Sequence, residues 1–215
     1  MSNPTTPASI GPGEFFPVVG VGPHEKPWPE GAQYDPELLL NGDRRNVLDH
    51  YRYWTVEAIV ADLDSKRHKL QIAIENWQHD LNIGSIVRTA NAFNVSGVHI
   101  VGKRDWNKRG AMVTDRYLTV HHHPTVEDFA VWCKENELPI IGIDNVPGSK
   151  QLESAQLPEK CVLLFGQEGA GMSDEGISVC EVLYEINQYG STRSMNASAA
   201  GAIAMYHWAL QHLPR

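Results

Sequence analysis

Short apolar runs alternate with helical periodicity along most of this chain, and this alternation constrains the fold more than any other feature. The apolar runs cover residues 70–75, 97–101, 139–143, 161–165 and 182–186, and helical spacing covers 83–93, 125–137 and 197–210. Buried strands separated by helices are typical of a parallel sheet that is covered on both faces. We therefore predict an α/β fold with a mostly parallel sheet and helices on both of its faces.

The periodicity also predicts how the chain is divided. Residues 1–36 are rich in Pro and Gly and lack a period, which predicts a flexible N-terminal arm. Apolar residues recur at steps of three and four from Val47 to Leu63, which predicts a helix within an N-terminal extension, residues 37–69. Residues 70–215 then form the α/β domain, and a hydrophobic content of 42% gives it a sizeable core.

Charge and cysteine content narrow the function classes. A net charge of −8 argues against a protein that coats nucleic acid nonspecifically, although it leaves room for a local basic patch. Three widely spaced cysteines, Cys133, Cys161 and Cys180, predict buried thiols and a cytoplasmic location, because no CxxC spacing is present. We expect neither a signal peptide nor a membrane span, since no apolar stretch has the required length or setting.

Ligands of parallel sheets bind beyond the carboxyl ends of the strands, so the loops after residues 75, 165 and 186 are the candidate site. In the first loop we expect Asn82 to cap a helix and Gly84 to allow close approach. Arg88 follows in the second helical turn, where it can grip a phosphate or pair with Asp80. The spacing leaves both alternatives open.

The second and third loops are rich in small residues. The loop from Gly166 to Ser173 lacks the Lys-Ser/Thr pair of a P-loop and the spacing G-x-G-x-x-G. Its Glu168 suits a cationic ligand better than an anionic one, or can brace the loop. The third loop enters a helix whose first turns are almost all Ala and Gly, which leaves room for a flat ligand. The candidate helix caps there are Ser194, Asn196 and Ser198.

Together these loops resemble the three motifs of the SpoU–TrmH branch of the SPOUT class of RNA ribose 2′-O-methyltransferases, in order and spacing, over residues 70–210. The first motif is matched by Asn82, Gly84, Arg88, Ala90 and Phe93. The second is matched by Gly166, Glu168, Gly169, Gly171 and Ser173. The third is matched by Ile186, Gly190, Ser194, Asn196 and Ser198.

The resemblance implies a deep C-terminal trefoil knot, S-adenosylmethionine as cofactor, and a homodimer whose sites are completed across the interface. The implied cofactor-binding residues are Phe165, Gly166, Glu168, Gly171, Ile186, Met195 and Ala197. The implied catalytic residues are Arg88, Glu168, Ser194 and Asn196. The family assigns the base role to the Arg matched by Arg88, but a guanidinium stays protonated in proteins, so positioning and charge stabilisation are the alternative. Dimer contacts and simple core packing are both open for Tyr206, Trp208 and Leu210.

The implied substrate is a structured RNA, either a tRNA or an rRNA. Asn82 and Arg88 would contact it, together with a basic cluster that contains one aromatic residue: Lys103, Arg104, Trp106, Lys108 and Arg109. Trp106 can stack on an unpaired base, or it can be partly buried. We predict that a strand edge or an RNA-facing rim, rather than a metal site, contains His121, His122 and His123, because adjacent strand residues point to opposite faces.

Two other classes of function compete with an RNA methyltransferase. One is a non-catalytic RNA-binding or dimerisation protein on the same fold. The presence of Arg88, Glu168, Ser194 and Asn196 argues against it. The other is an unrelated nucleotide-binding enzyme, which the absence of both glycine fingerprints argues against.

Overall fold

The computed structural model describes residues 20–78, 82–167 and 169–214. The chain divides into two compact units, residues 1–59 and 60–215. Nineteen residues of the predicted flexible arm, 1–19, lie outside the described residues. The three-part division of the chain therefore stays a prediction.

The first unit is built around a buried carboxylate. Asp43 is fully buried and accepts hydrogen bonds from the Arg45 side chain, at 2.9 and 2.7 Å, and from the backbone N–H of Tyr53, at 3.0 Å. Burial by itself would raise the pKa of Asp43, but the hydrogen bonds and the charge of Arg45 lower it to about 2. The unit also contains helix α1, Pro36–Asn41, which Asp35 caps by accepting from Glu37 N at 2.9 Å.

The helix predicted over residues 47–63 is wrong in its first half. Residues Asp49–Tyr51 form a 3-10 turn, and helix α2 covers Val56–Asp64. Tyr53 has a φ of 63°, which no α-helix accommodates, and so the helical turn cannot continue through it. Thr55 then starts α2 by accepting a hydrogen bond from Ala58 N at 3.1 Å.

The second unit contains a seven-stranded sheet in the order β3-β2-β1-β6-β4-β7-β5. Every pairing between these strands is parallel, as predicted. The strands are β1 His68–Asn76, β2 Val95–Gly102, β3 Val120–His123, β4 Ile140–Ile143, β5 Lys150–Gln151, β6 Cys161–Phe165 and β7 Val182–Glu185. All strands therefore end at one edge of the sheet, where the loops after β1, β4, β6 and β7 follow.

Helices cover both faces of this sheet, which confirms the predicted architecture. The helices are α3 Asn82–Ala92, α4 Val126–Glu135, α5 Asp174–Val179 and α6 Ala197–His212. Alternate strand residues such as Ile72 and Leu163 belong to a core that includes Ile86 of α3 and Met205 of α6. Their neighbours on the opposite face pack with residues of α4 and with residues next to α5. This alternation is the reason why the strands are nearly continuous apolar runs in sequence.

Several elements differ from the sequence-based expectation. Strand β5 has two residues and helix α5 has six, too few for a periodic pattern, and both were missed. Trp208 is buried and donates from Nε1 to the Pro158 carbonyl at 3.1 Å, so it belongs to the core. Within the described residues, no helix is long and apolar enough to cross a membrane. The trefoil knot stays a prediction, because strand order alone does not establish the threading.

Candidate active site

A cavity of about 390 Å³ opens at the carboxyl edge of the sheet, between the loops that follow β4, β6 and β7. This volume lies within the range of small-molecule and cofactor sites. Every described residue predicted to bind the cofactor lines it. These residues are Phe165, Gly166, Gly171, Ile186, Met195 and Ala197. Ser194 and Asn196 line the cavity as well, whereas Glu168 lies outside the described residues.

The loop after β6 folds back on itself to form one wall of the cavity. The backbone N–H of Gln167 donates to the Gly171 carbonyl at 3.2 Å, and Gly171 N donates to the Gln167 carbonyl at 3.0 Å. A Cβ on Gly166 would lie 2.2 Å from the Gly171 carbonyl carbon, so only glycine fits there. Gln167 is buried, and its Oε1 has no hydrogen-bond partner among the residues that the structure describes. An unpaired buried acceptor in a cavity wall indicates a missing donor, such as a ligand N–H.

Asp144, the residue that follows β4, supplies a carboxylate to the cavity. Its Oδ2 accepts from Met172 N at 2.7 Å and its Oδ1 from Asn145 N at 2.8 Å. A Cβ on Gly171, whose φ is 72°, would approach Oδ2 to 2.8 Å. Asp144 therefore holds the loop after β6 in place. Sequence reasoning missed it, although applying the strand-end rule to β4 as well would have found it.

A second carboxylate, which is fully buried, also braces this loop. Glu75, in β1, is fully buried and accepts from Ser173 N at 2.8 Å and from Ser173 Oγ at 2.5 Å. Ser173 in turn caps α5 by accepting from Gly176 N at 3.0 Å. Sequence analysis assigned the bracing of this loop to Glu168. Among the described residues Glu75 braces it, and the contact between Glu75 and Ser173 joins the end of β1 to the loop after β6.

Asn196 connects the third loop to the first. Of the three candidate caps it is the one that caps α6, since its Oδ1 accepts from Ser198 N at 3.0 Å and Ala199 N at 3.2 Å. Its Nδ2 donates to Oδ1 of Asn82 at 2.7 Å. Asn82 is the first residue of α3. The three predicted loops therefore meet, although among the described residues of these loops only those of the second and third line the cavity.

Arg88 lies on α3, exposed to solvent, and it does not line the cavity. Among residues 20–78, 82–167 and 169–214 it forms no ion pair, and its alternative partner Asp80 lies outside these ranges. Its guanidinium is thus available to a group that this chain's described residues do not provide.

The predicted basic cluster lies between β2 and β3, and its four cations Lys103, Arg104, Lys108 and Arg109 are exposed. Trp106 is partly buried against the core, and Lys108 Nζ stands 5.4 Å from its ring centroid. The same Nζ pairs with Asp115 at 3.0 Å. The start of the segment is fixed by Asn76, whose side chain donates to the Lys103 carbonyl at 2.7 Å. The basic face is therefore held by the sheet rather than by a loose loop.

The three histidines form the edge strand β3, as predicted, and their side chains alternate between its faces. His121 and His123 join His99 of β2, while His122 bonds to the Gly102 carbonyl on the other side. His99 Nε2 donates to Gln71 Oε1 at 2.6 Å, which leaves its Nδ1 to accept from His123 Nε2 at 2.9 Å.

Burial, with smaller contributions from His121 and His123, lowers the pKa of His99 to about 2. The cluster is therefore a neutral hydrogen-bonded element of the sheet. In the part of the chain that the structure describes, no three His, Cys, Asp or Glu side chains are arranged to hold a metal ion.

This chain is similar in sequence to known methyltransferases. A model of the SpoU rRNA Methylase family matches residues 69–206. A tRNA (guanosine(18)-2′-O)-methyltransferase of Borreliella burgdorferi is 25% identical over 147 residues, 67% of this chain and 67% of the relative. An enzyme of the same name from Saccharomyces cerevisiae is 26% identical over 72% of this chain but only 12% of its own length.

Among solved structures, the SpoU methyltransferase AviRb from Streptomyces viridochromogenes, in complex with the cofactor AdoMet, superposes with a TM-score of 0.62. It is 22% identical, and the match covers 71% of this chain and 61% of that one. At this identity the likeness shows the fold.

Proposed function

Because the chain belongs to the SpoU rRNA Methylase family, we propose that it transfers the methyl group of S-adenosylmethionine to a ribose 2′-hydroxyl of a structured RNA, a tRNA or an rRNA. The observation that carries the proposal is the cavity between the loops after β4, β6 and β7. The names of the relatives and the cofactor of the AviRb structure support it. The match covers only part of the length of several relatives, 12% for the Saccharomyces cerevisiae enzyme. The choice between tRNA and rRNA is therefore part of the proposal.

The cavity fits the proposed cofactor in chemistry as well as in size. Its polar side chains include the carboxylate of Asp144 and the unpaired Oε1 of Gln167, both of which are acceptors. S-adenosylmethionine offers a sulfonium, an ammonium and an adenine amino group, all of which match acceptors. The small residues Gly166 and Ala197 leave backbone groups accessible, so the purine can be held by main-chain hydrogen bonds. A phosphate-rich cofactor would face these acceptors unfavourably.

When bound, the cofactor supplies an electrophilic methyl group on a good leaving group. The protein must therefore position the 2′-hydroxyl and accommodate its proton. Asn196 fixes the cavity rim through its cap on α6 and its bond to Asn82. The guanidinium of Arg88 grips a substrate phosphate, and this phosphate orients the hydroxyl and accepts or relays its proton. Its exposed side chain, free of ion pairs with the described residues, supports that role.

We further propose a homodimer in which Arg88 of one copy completes the cavity of the other. The support is that Arg88 stands on α3 without lining the cavity of its own chain. The exposed apolar side chains Tyr206 and Leu210 on α6 give a surface for such a partner, whereas the buried Trp208 does not. A cytoplasmic location is proposed on the three free thiols Cys133, Cys161 and Cys180.

The catalytic proposal is tested with Arg88→Ala and the conservative Arg88→Lys. Calorimetry with S-adenosylmethionine should give the same Kd for both variants and the unaltered chain, while methyl transfer to total tRNA or rRNA is lost in Arg88→Ala and strongly reduced in Arg88→Lys. Near-normal turnover of Arg88→Ala would refute the assignment. If the unaltered chain binds RNA but not S-adenosylmethionine, NAD or ATP, it is a non-catalytic RNA-binding protein.

The shared site is tested by mixing two inactive variants. Ala197→Leu fills the cavity, and Arg88→Ala removes the guanidinium. In mixed dimers a site completed in trans places both defects in one cavity and none in the other, so re-association restores about a quarter of the activity. A site completed within one chain restores none, since every cavity then carries one defect.

A further inference from the structure

We propose that Met112 and Val113, named here the apolar tip, contact an unstacked base of the RNA substrate beside Arg88. The proposal rests on the RNA substrate proposed above and adds the surface that reads it. Both side chains are exposed, at 64% and 56% of their surface, in the segment between β2 and β3. Neither residue belongs to a family motif found in the sequence, and neither was singled out by charge.

The backbone of the apolar tip is strained. Met112 has a φ of 47° and Val113 a φ of 65°, two consecutive left-handed residues without a glycine. For a β-branched residue this conformation is unfavourable, and it persists where the surrounding structure enforces it. The strain is not offset by burial of the two side chains, because both project into solvent. Backbone strain of this kind concentrates at sites that contact a ligand.

The surroundings enforce the conformation from both sides. The preceding 3-10 turn, Arg109–Ala111, ends with Met112 N donating to the Arg109 carbonyl at 3.2 Å. The following 3-10 turn is tied back by Thr114 Oγ1, which donates to the Ala111 carbonyl at 2.7 Å. The tip is thus presented rigidly by two short turns rather than by a mobile loop.

The two turns also place the apolar tip beside α3, the helix that carries Arg88. A Cβ on Gly84 would lie 2.8 Å from Ala111 N, and a Cβ on Gly110 would lie 2.8 Å from Ser85 N. The backbone of α3 is therefore in direct contact with that of the 3-10 turn Arg109–Ala111. Arg88 is one helical turn beyond Gly84 on the same face of α3. A nucleotide whose phosphate is gripped by Arg88 therefore has its neighbouring base within reach of the tip.

The charges around the apolar tip indicate that its binding partner is a polyanion. The exposed cations Arg109 and Arg116 flank the tip in sequence, and Lys103 and Arg104 lie in the same segment. On a chain with a net charge of −8, this local excess of cations complements RNA rather than a second acidic copy. Apolar side chains on such a basic face fit the flat face of an unpaired base, which has no other apolar partner once it leaves its stack.

The test compares Val113→Gly with Arg109→Ala and with Val131→Ala. Val131 lies on α4 and is exposed to a similar extent, 50% against 56% for Val113. Binding of a fluorescent tRNA or rRNA fragment is measured at several salt concentrations. We expect Val113→Gly to weaken binding roughly tenfold, as for uncovering one buried valine, with an unchanged slope of log Kd against log salt. Arg109→Ala should reduce that slope by about one, because it removes one phosphate contact. Val131→Ala should change neither quantity.

Thermal unfolding distinguishes the loss of a contact with RNA from a loss of protein stability. Because glycine relieves the left-handed strain, Val113→Gly should unfold at the same or a higher temperature while binding RNA more weakly. Unchanged RNA affinity in Val113→Gly, with the Arg109→Ala effect present, overturns the apolar tip and leaves the proposed function standing. If sedimentation shows that Val113→Gly dissociates a dimer at unchanged RNA affinity per chain, the tip contacts a second copy and the proposal is wrong. Absence of RNA binding by the unaltered chain would instead overturn the proposed function.

Discussion

Replacing Asn196 separates two contributions that one side chain makes to the site. Its Oδ1 caps α6, and its Nδ2 donates to Asn82 at 2.7 Å. Loss of an N-cap costs about 1 kcal/mol, and loss of a side-chain hydrogen bond costs about another 1 kcal/mol. Asn196→Ala should therefore destabilise the second unit by about 2 kcal/mol. Asn196→Ser should cost about half of that, because serine caps well but is too short to reach Asn82.

Thr125 offers a matched control for this experiment. It caps α4 by accepting from Asp128 N at 3.0 Å, and it does not line the cavity between β4, β6 and β7. Thr125→Ala and Asn196→Ser should thus lower the unfolding temperature by similar amounts, about 2–4 °C each for a chain of this size. Only the Asn196 variant should weaken S-adenosylmethionine binding and slow methyl transfer, by roughly tenfold, because only it loosens the rim that positions the reacting groups.

Differential scanning calorimetry measures the unfolding temperature, titration calorimetry measures S-adenosylmethionine affinity, and a methyl-transfer assay measures turnover, all on the same samples. The reasoning fails if Asn196→Ser keeps full affinity and turnover, since the bond to Asn82 would then be dispensable. It also fails if Thr125→Ala loses as much activity as Asn196→Ser, since general destabilisation would then explain both variants.

Three further predictions concern His99, Gly171 and Asp43. Lowering the pH from 6.5 to 5 should cost the second unit about 2 kcal/mol through His99, because His99 binds a proton in the unfolded chain but, with its pKa lowered to about 2, not in the folded one. Burial also lowers the pKa values of His121 and His123, which add to the loss. Urea titrations at several pH values should show the loss, and a His99→Gln variant should reduce it. Gly171→Ala should weaken S-adenosylmethionine binding in calorimetry with little change in the unfolding of the first unit, because its φ is 72° and the new Cβ would lie 2.8 Å from Asp144. Asp43→Asn should destabilise the first unit by about 3 kcal/mol in urea, since it leaves Arg45 without its carboxylate, and equal stability would show that the ion pair contributes nothing.

The strand ends explain how much of the fold and site could be predicted from sequence. Continuous apolar runs marked five of the seven strands, and the rule that ligands bind beyond them identified the loops after β1, β6 and β7. Strand β5 has only two residues, so no sequence pattern marks it. The carboxylate of Asp144 was missed because the strand-end rule was not applied to β4, although the apolar run of that strand was recognised and Asp144 directly follows it. Glu75 was missed as a brace because a single polar residue at the end of an apolar run gives no sign of its partner.

The helix error has a different origin. Residues 47–63 carry helical spacing, but spacing describes side chains and not backbone angles. The positive φ of Tyr53 is set by tertiary contacts, among them the bond from its N–H to Asp43 at 3.0 Å, which no local pattern encodes. Nor does spacing along α3 tell whether Arg88 faces the cavity of its own chain or points away from it. Both depend on which surfaces meet in space.

The distribution of polar groups gives a physical reason for keeping cofactor and RNA apart on one small domain. The cavity presents the acceptors of Asp144 and Gln167, which disfavour phosphate, while a cluster of exposed cations lies on the segment between β2 and β3. With Arg88 proposed to hold a substrate phosphate at the rim, the carboxylate of Asp144 disfavours phosphate deeper inside the cavity. Only a neutral ribose hydroxyl can approach the cofactor without meeting that repulsion. On this reasoning Asp144→Lys would do more than weaken cofactor binding: RNA should bind the variant more tightly, with a steeper salt dependence, yet remain unmethylated.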